Sequence, residues 1–223
     1  STEYYSYDLA GRLEMVFHRD GTGNQNFDFE NEAPDVVYTY DANGNRLSAD
    51  YGDEGKWNGV YDAQDRLLMY CLEDMAATED EPCAGSQEYN EYTYTDAGDL
   101  STKTVVVGDA QTEYWEHTYA SIGNLLKVEK FTGPEETHEF TIDYLIDGMN
   151  RRVGRIKTDA DGTVLDKKGW LYDGGLNPIA ELDETGAVSA RFVYATKSNV
   201  PDYVVRDGVT YRIASNHLGS PVA

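Results

Sequence analysis

The chain has 223 residues, a net charge of −23 at neutral pH, 18 tyrosines against 6 phenylalanines, and two cysteines. That length allows one domain, or two small ones, with a real core, and no apolar run approaches the roughly 18 residues that a membrane helix needs. Residues 1–110 hold 6 Lys/Arg and 24 Asp/Glu, and residues 111–223 hold 12 and 17; this field repels phosphate backbones and anionic lipid surfaces, which disfavours nucleic acid and anionic membranes as partners.

The first predicted element is a hairpin written as Tyr5-Ser6-Tyr7-Asp8-Leu9-Ala10-Gly11-Arg12-Leu13. The phrase returns most clearly at Val36-Val37-Tyr38-Thr39-Tyr40-Asp41-Ala42-Asn43-Gly44-Asn45-Arg46-Leu47. Val36, Tyr38 and Tyr40 alternate onto one strand face. Asp41 can bond its own backbone two residues on, and Asn43 and Gly44 tolerate positive φ. Arg46-Leu47 then opens a return strand, so each copy reads as a β-hairpin. A third copy, Val60-Tyr61-Asp62-Ala63-Gln64-Asp65-Arg66-Leu67, has Asp65 in the glycine position.

An insert follows, flanked by Cys71 and Cys83 and acidic at Glu79-Asp80-Glu81. It reads as a surface loop with at most a short helical turn near residues 72–80. A disulfide across it would add about 3 kcal/mol in the chain-entropy model and would imply an oxidising compartment; two free thiols in a reducing compartment are the alternative.

Weaker copies come next, ending strands at Tyr94, at Tyr119 and at Tyr172-Asp173. Asp161-Gly162, Thr185-Gly186 and Asp207-Gly208 are further turn signals, the first and last read as two-residue loops. Tyrosines at 7, 40, 61, 94, 119, 144, 172 and 194 are separated by 33, 21, 33, 25, 25, 28 and 22 residues. That spacing is too uneven for a tight solenoid. It suits a continuous antiparallel ribbon whose loops lengthen at little entropic cost.

Enzyme constellations are lacking: there is no His-Glu-x-x-His, no Gly-x-Ser-x-Gly and no Gly-Lys-Ser/Thr phosphate loop. His18, His117, His138 and His217 are scattered, and no catalytic residue is assigned. Asp159-Ala160-Asp161-Gly162 resembles the start of a calcium loop without its later glutamate, so Asp159 and Asp161 are the candidate metal ligands. The same letters also make hairpin turns. Trp57, Trp115 and Trp170 supply faces on which a sugar ring could stack, against a reading in which these rings form cross-strand ladders.

The Tyr-Asp-x-x-Gly-Asn/Arg phrase resembles the repeat of the Rhs and YD-repeat family, which includes the teneurin shell. Leu171-Tyr172-Asp173-Gly174-Gly175-Leu176-Asn177-Pro178-Ile179-Ala180-Glu181-Leu182, Arg191-Phe192-Val193-Tyr194-Ala195 and His217-Leu218-Gly219-Ser220-Pro221 are similar to phrases of bacterial Rhs cores. The likeness is stronger over 169–223 than over 1–168. It implies a β-strip that spirals into a hollow shell around a C-terminal toxin, secreted or displayed on a bacterial surface. Its partners would be the rest of the shell and that toxin. It carries no catalytic residue onto this chain, and it implies a piece of shell, ending at Ala223 before any self-cleavage segment.

The expectation is therefore an all-β fold: a long, strongly curved antiparallel sheet of about 14 to 18 short strands. One face carries the tyrosines, and edges are open to self-association. Structural repeat positions are Tyr7, Asp8, Gly11, Tyr40, Asp41, Gly44, Tyr61, Asp62, Tyr94, Tyr119, Tyr172 and Asp173. The function expected is a non-catalytic shell module, with a carbohydrate-binding adhesin module as the alternative.

Overall fold

Alternating aromatic and β-branched residues dictate strands, and a computed structural model describes them over residues 2–19, 27–108, 110–215 and 220–222. The fold is all-β and antiparallel. Seventeen strands belong to one open sheet, and a two-stranded ribbon pairs β18 (Ala214–Ser215) with β19 (Pro221–Val222). Among the described residues the helical content is one 3-10 turn, Gly52–Glu54. The Cys-flanked insert contains turns and bends and no helical turn. There the Asp74 carboxylate accepts the Ala76 amide and the Thr78 hydroxyl accepts the Glu81 amide, which are side-chain bonds that compete with helix.

The chain divides into two compact units, residues 1–114 with 132–136, and residues 115–131 with 137–223. In the first, β1 (Thr2–Tyr7), β2 (Leu13–Arg19), β3 (Val36–Tyr40), β4 (Arg46–Asp50), β5 (Lys56–Tyr61), β6 (Leu67–Leu72), β7 (Glu88–Tyr94) and β8 (Leu100–Val107) each pair with the next. Strands β9 (Ala110–Tyr119) and β10 (Leu125–Thr132) contain residues of both units. In the second, β11 (Thr137–Ile146), β12 (Arg152–Asp159), β13 (Val164–Tyr172), β14 (Pro178–Leu182), β15 (Val188–Val193), β16 (Tyr203–Arg206) and β17 (Val209–Arg212) pair in the same sequential way.

In the first unit the register places Tyr38, Ala49 and Trp57 in one cross-strand row and Thr39, Ser48, Asn58 and Cys71 in another. Strand alternation puts these rows on opposite faces. Tyr7, Tyr40, Tyr61, Tyr70, Tyr92 and Tyr94 lie on the Trp57 face by the same parity. The Cys71 face is capped by two excursions. Phe27 and Phe29 pack edge-on to Phe17, with ring centroids at 5.1 and 5.4 Å, and bury it fully. The insert covers Cys71, which is also fully buried.

Both units leave much of their apolar surface uncovered. The total accessible area is 14368 Å², against roughly 12,000 Å² for two separate compact units of half the mass each. Leu171, Val193, Val209 and Tyr211 are among the exposed apolar side chains of the second unit. A sheet with so thin a core must draw its stability from ladder bonds, turns and cross-strand contacts.

Candidate functional site

The repeated unit is a turn, and its chemistry begins with the aspartate. In Asp8–Arg12 the Asp8 amide donates to Arg12 O at 2.9 Å and the Gly11 amide to Asp8 O at 2.9 Å. This is a type I turn closed by a residue of positive φ, with Gly11 at +80°. The Asp8 carboxylate fills the turn from inside. Its Oδ1 accepts the amides of Ala10 at 2.9 Å and Arg12 at 2.8 Å, and its Oδ2 accepts Arg12 Nε at 2.7 Å.

The same set recurs at Asp62–Arg66, where Oδ1 accepts the amides of Gln64 and Arg66 and Oδ2 accepts Arg66 Nε at 2.7 Å. It recurs again at Asp147–Arg151, with Arg151 Nε at 2.8 Å. Asp41 takes the amides of Asn43 and Asn45, and Asn45 Nδ2 stands in for arginine at 2.8 Å. These bonds hold the carboxyls below the usual carboxylate range. For Asp8 and Asp147 the leading cause is the arginine amide. For Asp62 it is the Arg66 side chain. In Asp41 burial opposes the shift, and the Asn45 side chain, followed by the turn amides, outweighs it.

Five of the motif tyrosines reach back to the preceding turn. Tyr40 Oη donates to Leu13 O at 2.7 Å, Tyr61 Oη to Arg46 O at 3.1 Å, and Tyr94 Oη to Leu67 O at 2.7 Å. In the second unit Tyr172 Oη donates to Arg152 O at 2.8 Å and Tyr194 Oη to Pro178 O at 3.1 Å. The acceptor each time is the first residue of a return strand. The turn arginine lies over the incoming ring: Arg12 is 4.7 Å from the Tyr40 centroid, Arg66 5.0 Å from Tyr94, and Arg151 4.8 Å from Tyr172. Arg12 Nη1 also donates to Asp41 O at 2.8 Å, and Arg151 Nη1 to Gly175 O at 3.1 Å. Turn tips join as well, because Asn43 and Asn45 both donate to Asp65 Oδ1, at 2.8 and 2.7 Å, and Asn124 donates to Asn150 Oδ1 at 3.2 Å.

One repeat thus uses Asp to close its own turn, Tyr to grip the turn before, and Arg to clamp the tyrosine after. The whole chain, residues 1–223, matches the family described as Teneurin YD-shell. The chain belongs to that family. No curated protein sequence matches it. Solved structures similar to this YD-shell chain include a TcdB2-TccC3-TEV crystal structure, at TM-score 0.38 and 11% identity, covering 99% of this chain and 14% of that one. A TcdB2-TccC3 structure without its hypervariable C-terminal region follows at TM-score 0.31 and 14% identity, covering 93% of this chain and 14% of that one. A Photorhabdus luminescens Tc holotoxin pore follows at TM-score 0.24 and 11% identity, covering 99% and 17%. The YD-shell chain therefore spans about one-seventh of the length of the first two.

Tyr7, Tyr40, Tyr61, Tyr94, Tyr119 and Tyr172 each end a strand just before a turn. Tyr144 does not. It sits two residues early, under the Arg152 guanidinium at 3.9 Å, and Ile146 occupies the place before Asp147. Sequence reading missed the capped turn at Asp147, where Ile146 stands in place of tyrosine, and read the turn at Thr185-Gly186 without the Asp183 carboxylate that caps it, Leu182 standing before that aspartate in place of tyrosine. The signal was Asp-x-x-Gly/Asn alone. Asp173 caps no amide among the described residues, its turn closing only through Gly175 N to Asp173 O.

At Asp159 the loop is the same three-residue loop and not a two-residue Asp161-Gly162 turn, since Thr158 pairs with Val164 and the Asp159 amide reaches Thr163 O. Asp159 Oδ1 accepts the amides of Asp161 and Thr163, at 3.0 and 2.8 Å. Among the described residues no three His, Cys, Asp or Glu side chains gather as a metal cluster. Asp207-Gly208 is a two-residue loop, with Arg206 paired to Val209 and φ of +51° and +76°.

Trp57 stacks on Tyr70 at 5.1 Å, and Trp115 meets Phe140 edge-on at 5.8 Å. Trp170 lines an open concavity with Asn150, Arg152 and Tyr172. Cys71 and Cys83 are joined in a disulfide, their Cα atoms 5.7 Å apart. His217 lies outside the described residues. No helix among the described residues is long and apolar enough to cross a membrane.

Proposed function

We propose that this chain is wall material: a non-catalytic segment of a larger YD-repeat shell that encloses a C-terminal toxin, secreted or surface-displayed and used against competing bacteria. The observation carrying this is that the motif residues are consumed in holding hairpin to hairpin. In the turns at Asp8, Asp62 and Asp147, and at Tyr40, Tyr61, Tyr94, Tyr172 and Tyr194, the motif side chains spend their polar atoms on backbone groups and on one another, which suits a continuous wall and leaves no converged catalytic set among the described residues. The open sheet and the uncovered apolar faces fit a strip that gains its remaining contacts from neighbouring repeats of the same shell.

Competition assays test the proposal. The parent gene is read beyond the codon for Ala223, and the bacterium is set against a susceptible competitor with and without the segment encoding residues 1–223. The expected result is a variable C-terminal domain, killing by the intact strain, and no killing by the deletion strain. A parent reading frame lacking such a domain, or killing unaffected by the deletion, overturns the proposal.

A further inference from the structure

The insert between β6 and β7 is fastened to the sheet at few points. Cys71 lies in β6, is fully buried, and pairs with Asn58 on one side and Tyr89 on the other. Cys83 lies in the insert and is half-buried. Apart from the disulfide, the described bond from the middle of the insert to the sheet is Asn58 Nδ2 to Pro82 O at 3.1 Å. Ala77 N to Asp74 O, Thr78 N to Glu81 O, Ala84 N to Glu81 O and Ser86 N to Cys83 O are internal to the insert, and at its C-terminal end Ser86 Oγ donates to Glu88 O at 2.9 Å and accepts from Glu88 N at 3.3 Å.

Beneath the insert lies a polar floor. Thr39 and Ser48 hydroxyls meet at 2.6 Å, Asn58 Nδ2 reaches Glu73 Oε2 at 2.9 Å, and Lys56 Nζ reaches the same carboxylate at 2.6 Å. Ser48 and Asn58 are the two buried polar residues of the described chain, at 5% and 4% exposure. A cleft of about 420 Å³ separates floor from insert, lined by Ser48, Asn58, Thr78, Glu79 and Pro82. The sheet does not depend on the bridge at this point, because Met69, Tyr70 and Cys71 of β6 hydrogen-bond in register with Glu91, Asn90 and Tyr89 of β7.

We infer that Cys83 is a thiol-exchange site, and that breaking its bond to Cys71 releases residues 74–87 as a strap from the Ser48–Asn58 floor while the sheet stays folded. A thiolate attacks a disulfide in line with the S–S bond. Cys71 is fully buried between Asn58 and Tyr89, which closes its sulfur to a reagent, whereas Cys83 is only half-buried and open to attack. With a dithiol, the first thiolate bonds to Cys83 Sγ and the S–S bond breaks. Cys71 leaves as a thiolate and takes a proton from water. The second reagent thiol then attacks its own sulfur in the mixed disulfide and frees Cys83. Two electrons and two protons reach the cysteines, and the reagent becomes a cyclic disulfide.

The test uses the whole chain in two arms. In the first, glutathione is the monothiol probe and iodoacetamide traps free thiols, with the products mapped by peptide mass spectrometry. The adduct is expected on Cys83 and the alkyl group on Cys71; an adduct on Cys71 overturns the assignment. In the second arm, cleavage after Glu79 and Glu81 by a glutamate-specific protease is followed with and without dithiothreitol, beside hydrogen exchange of β3 to β7. Losing a 12-residue closure should raise strap opening, and hence cleavage, by about a hundredfold, with exchange in β3 to β5 unchanged. Cys83→Ser should show the reduced pattern without reductant. Equal cleavage in both redox states, or faster exchange throughout β3 to β5, overturns the release of a strap from an intact sheet.

Discussion

Tyr94→Phe removes one oxygen from the link between two repeats and little else. Tyr94 Oη donates to Leu67 O at 2.7 Å, and the Arg66 guanidinium sits 5.0 Å from the ring centroid. Phenylalanine keeps the ring, its burial and most of the attraction to arginine. What is lost is a neutral hydrogen bond worth about 1 kcal/mol, with a further share for leaving the Leu67 carbonyl short of a donor. For a chain of this length about 1 kcal/mol lowers Tm by roughly 2–4 °C. Tyr7→Phe is the internal control: it sits at the same motif position but is 53% exposed, and its hydroxyl has no partner among the described residues. Calorimetry and urea titration of both variants are the assay. Equal shifts for Tyr94→Phe and Tyr7→Phe would refute the claim that the hydroxyl, and not the ring, makes the link.

Two further tests separate backbone from side chain and charge from shape. Gly44 has φ of +96° with nothing within 4 Å of the place a Cβ would take, while Gly148 has equally open space and no positive φ; Gly44→Ala should cost about 1–2 kcal/mol and Gly148→Ala should be neutral or slightly stabilising, as read by urea midpoints. Asp8, Asp62, Asp147 and Asp183 are held below the ordinary carboxyl range by turn hydrogen bonds. Their contribution is full above about pH 5 and is lost as pH falls through about 4 towards the lowered native values. Tyr61, Tyr94 and Tyr172 are raised by burial. Their contribution is full below about pH 10 and fades as pH rises past it. A urea midpoint that is flat from pH 5 to 9 and falls on both sides is the expected profile; one that falls steadily across neutrality contradicts it.

The hairpins were legible because Asp-x-x-Gly states a turn in local chemistry: a carboxylate that can reach amides two and four residues on, and a residue content with positive φ. Gly11 and Gly44 show it directly, and Asp65 and Asn150 at +61° show that a short polar residue can replace the glycine. The function of the tyrosine was not legible. Its acceptor lies 27 residues back for Tyr40 and Tyr94 and 15 for Tyr61. No local pattern names a carbonyl that becomes a neighbour only once intervening strands have paired. Counting tyrosines also placed the repeat at Tyr144 and overlooked Asp147, because the turn needs its aspartate while the strand end tolerates isoleucine. The helical turn considered near residues 72–80 failed for a local reason, since Asp74 and Thr78 bond nearby amides instead.

If each repeat grips only the one before it, energetic coupling should follow the links. Arg66 and Tyr94 belong to one link, because Arg66 lies over the ring and Leu67, its neighbour, supplies the carbonyl. Tyr40 belongs to another, made with Arg12 and Leu13. Residues in one network usually show interaction energies of about 0.5 kcal/mol or more, while sites without shared partners add within about 0.3–0.5 kcal/mol. A double-mutant cycle of Arg66→Ala with Tyr94→Phe should therefore be non-additive, since removing the clamp loosens the ring and lowers the worth of its hydroxyl. The cycle of Tyr40→Phe with Tyr94→Phe should be additive. Coupling of equal size in both cycles would mean that the hairpins share one cooperative core, and that the strip is held by collective packing and not by links between successive turns.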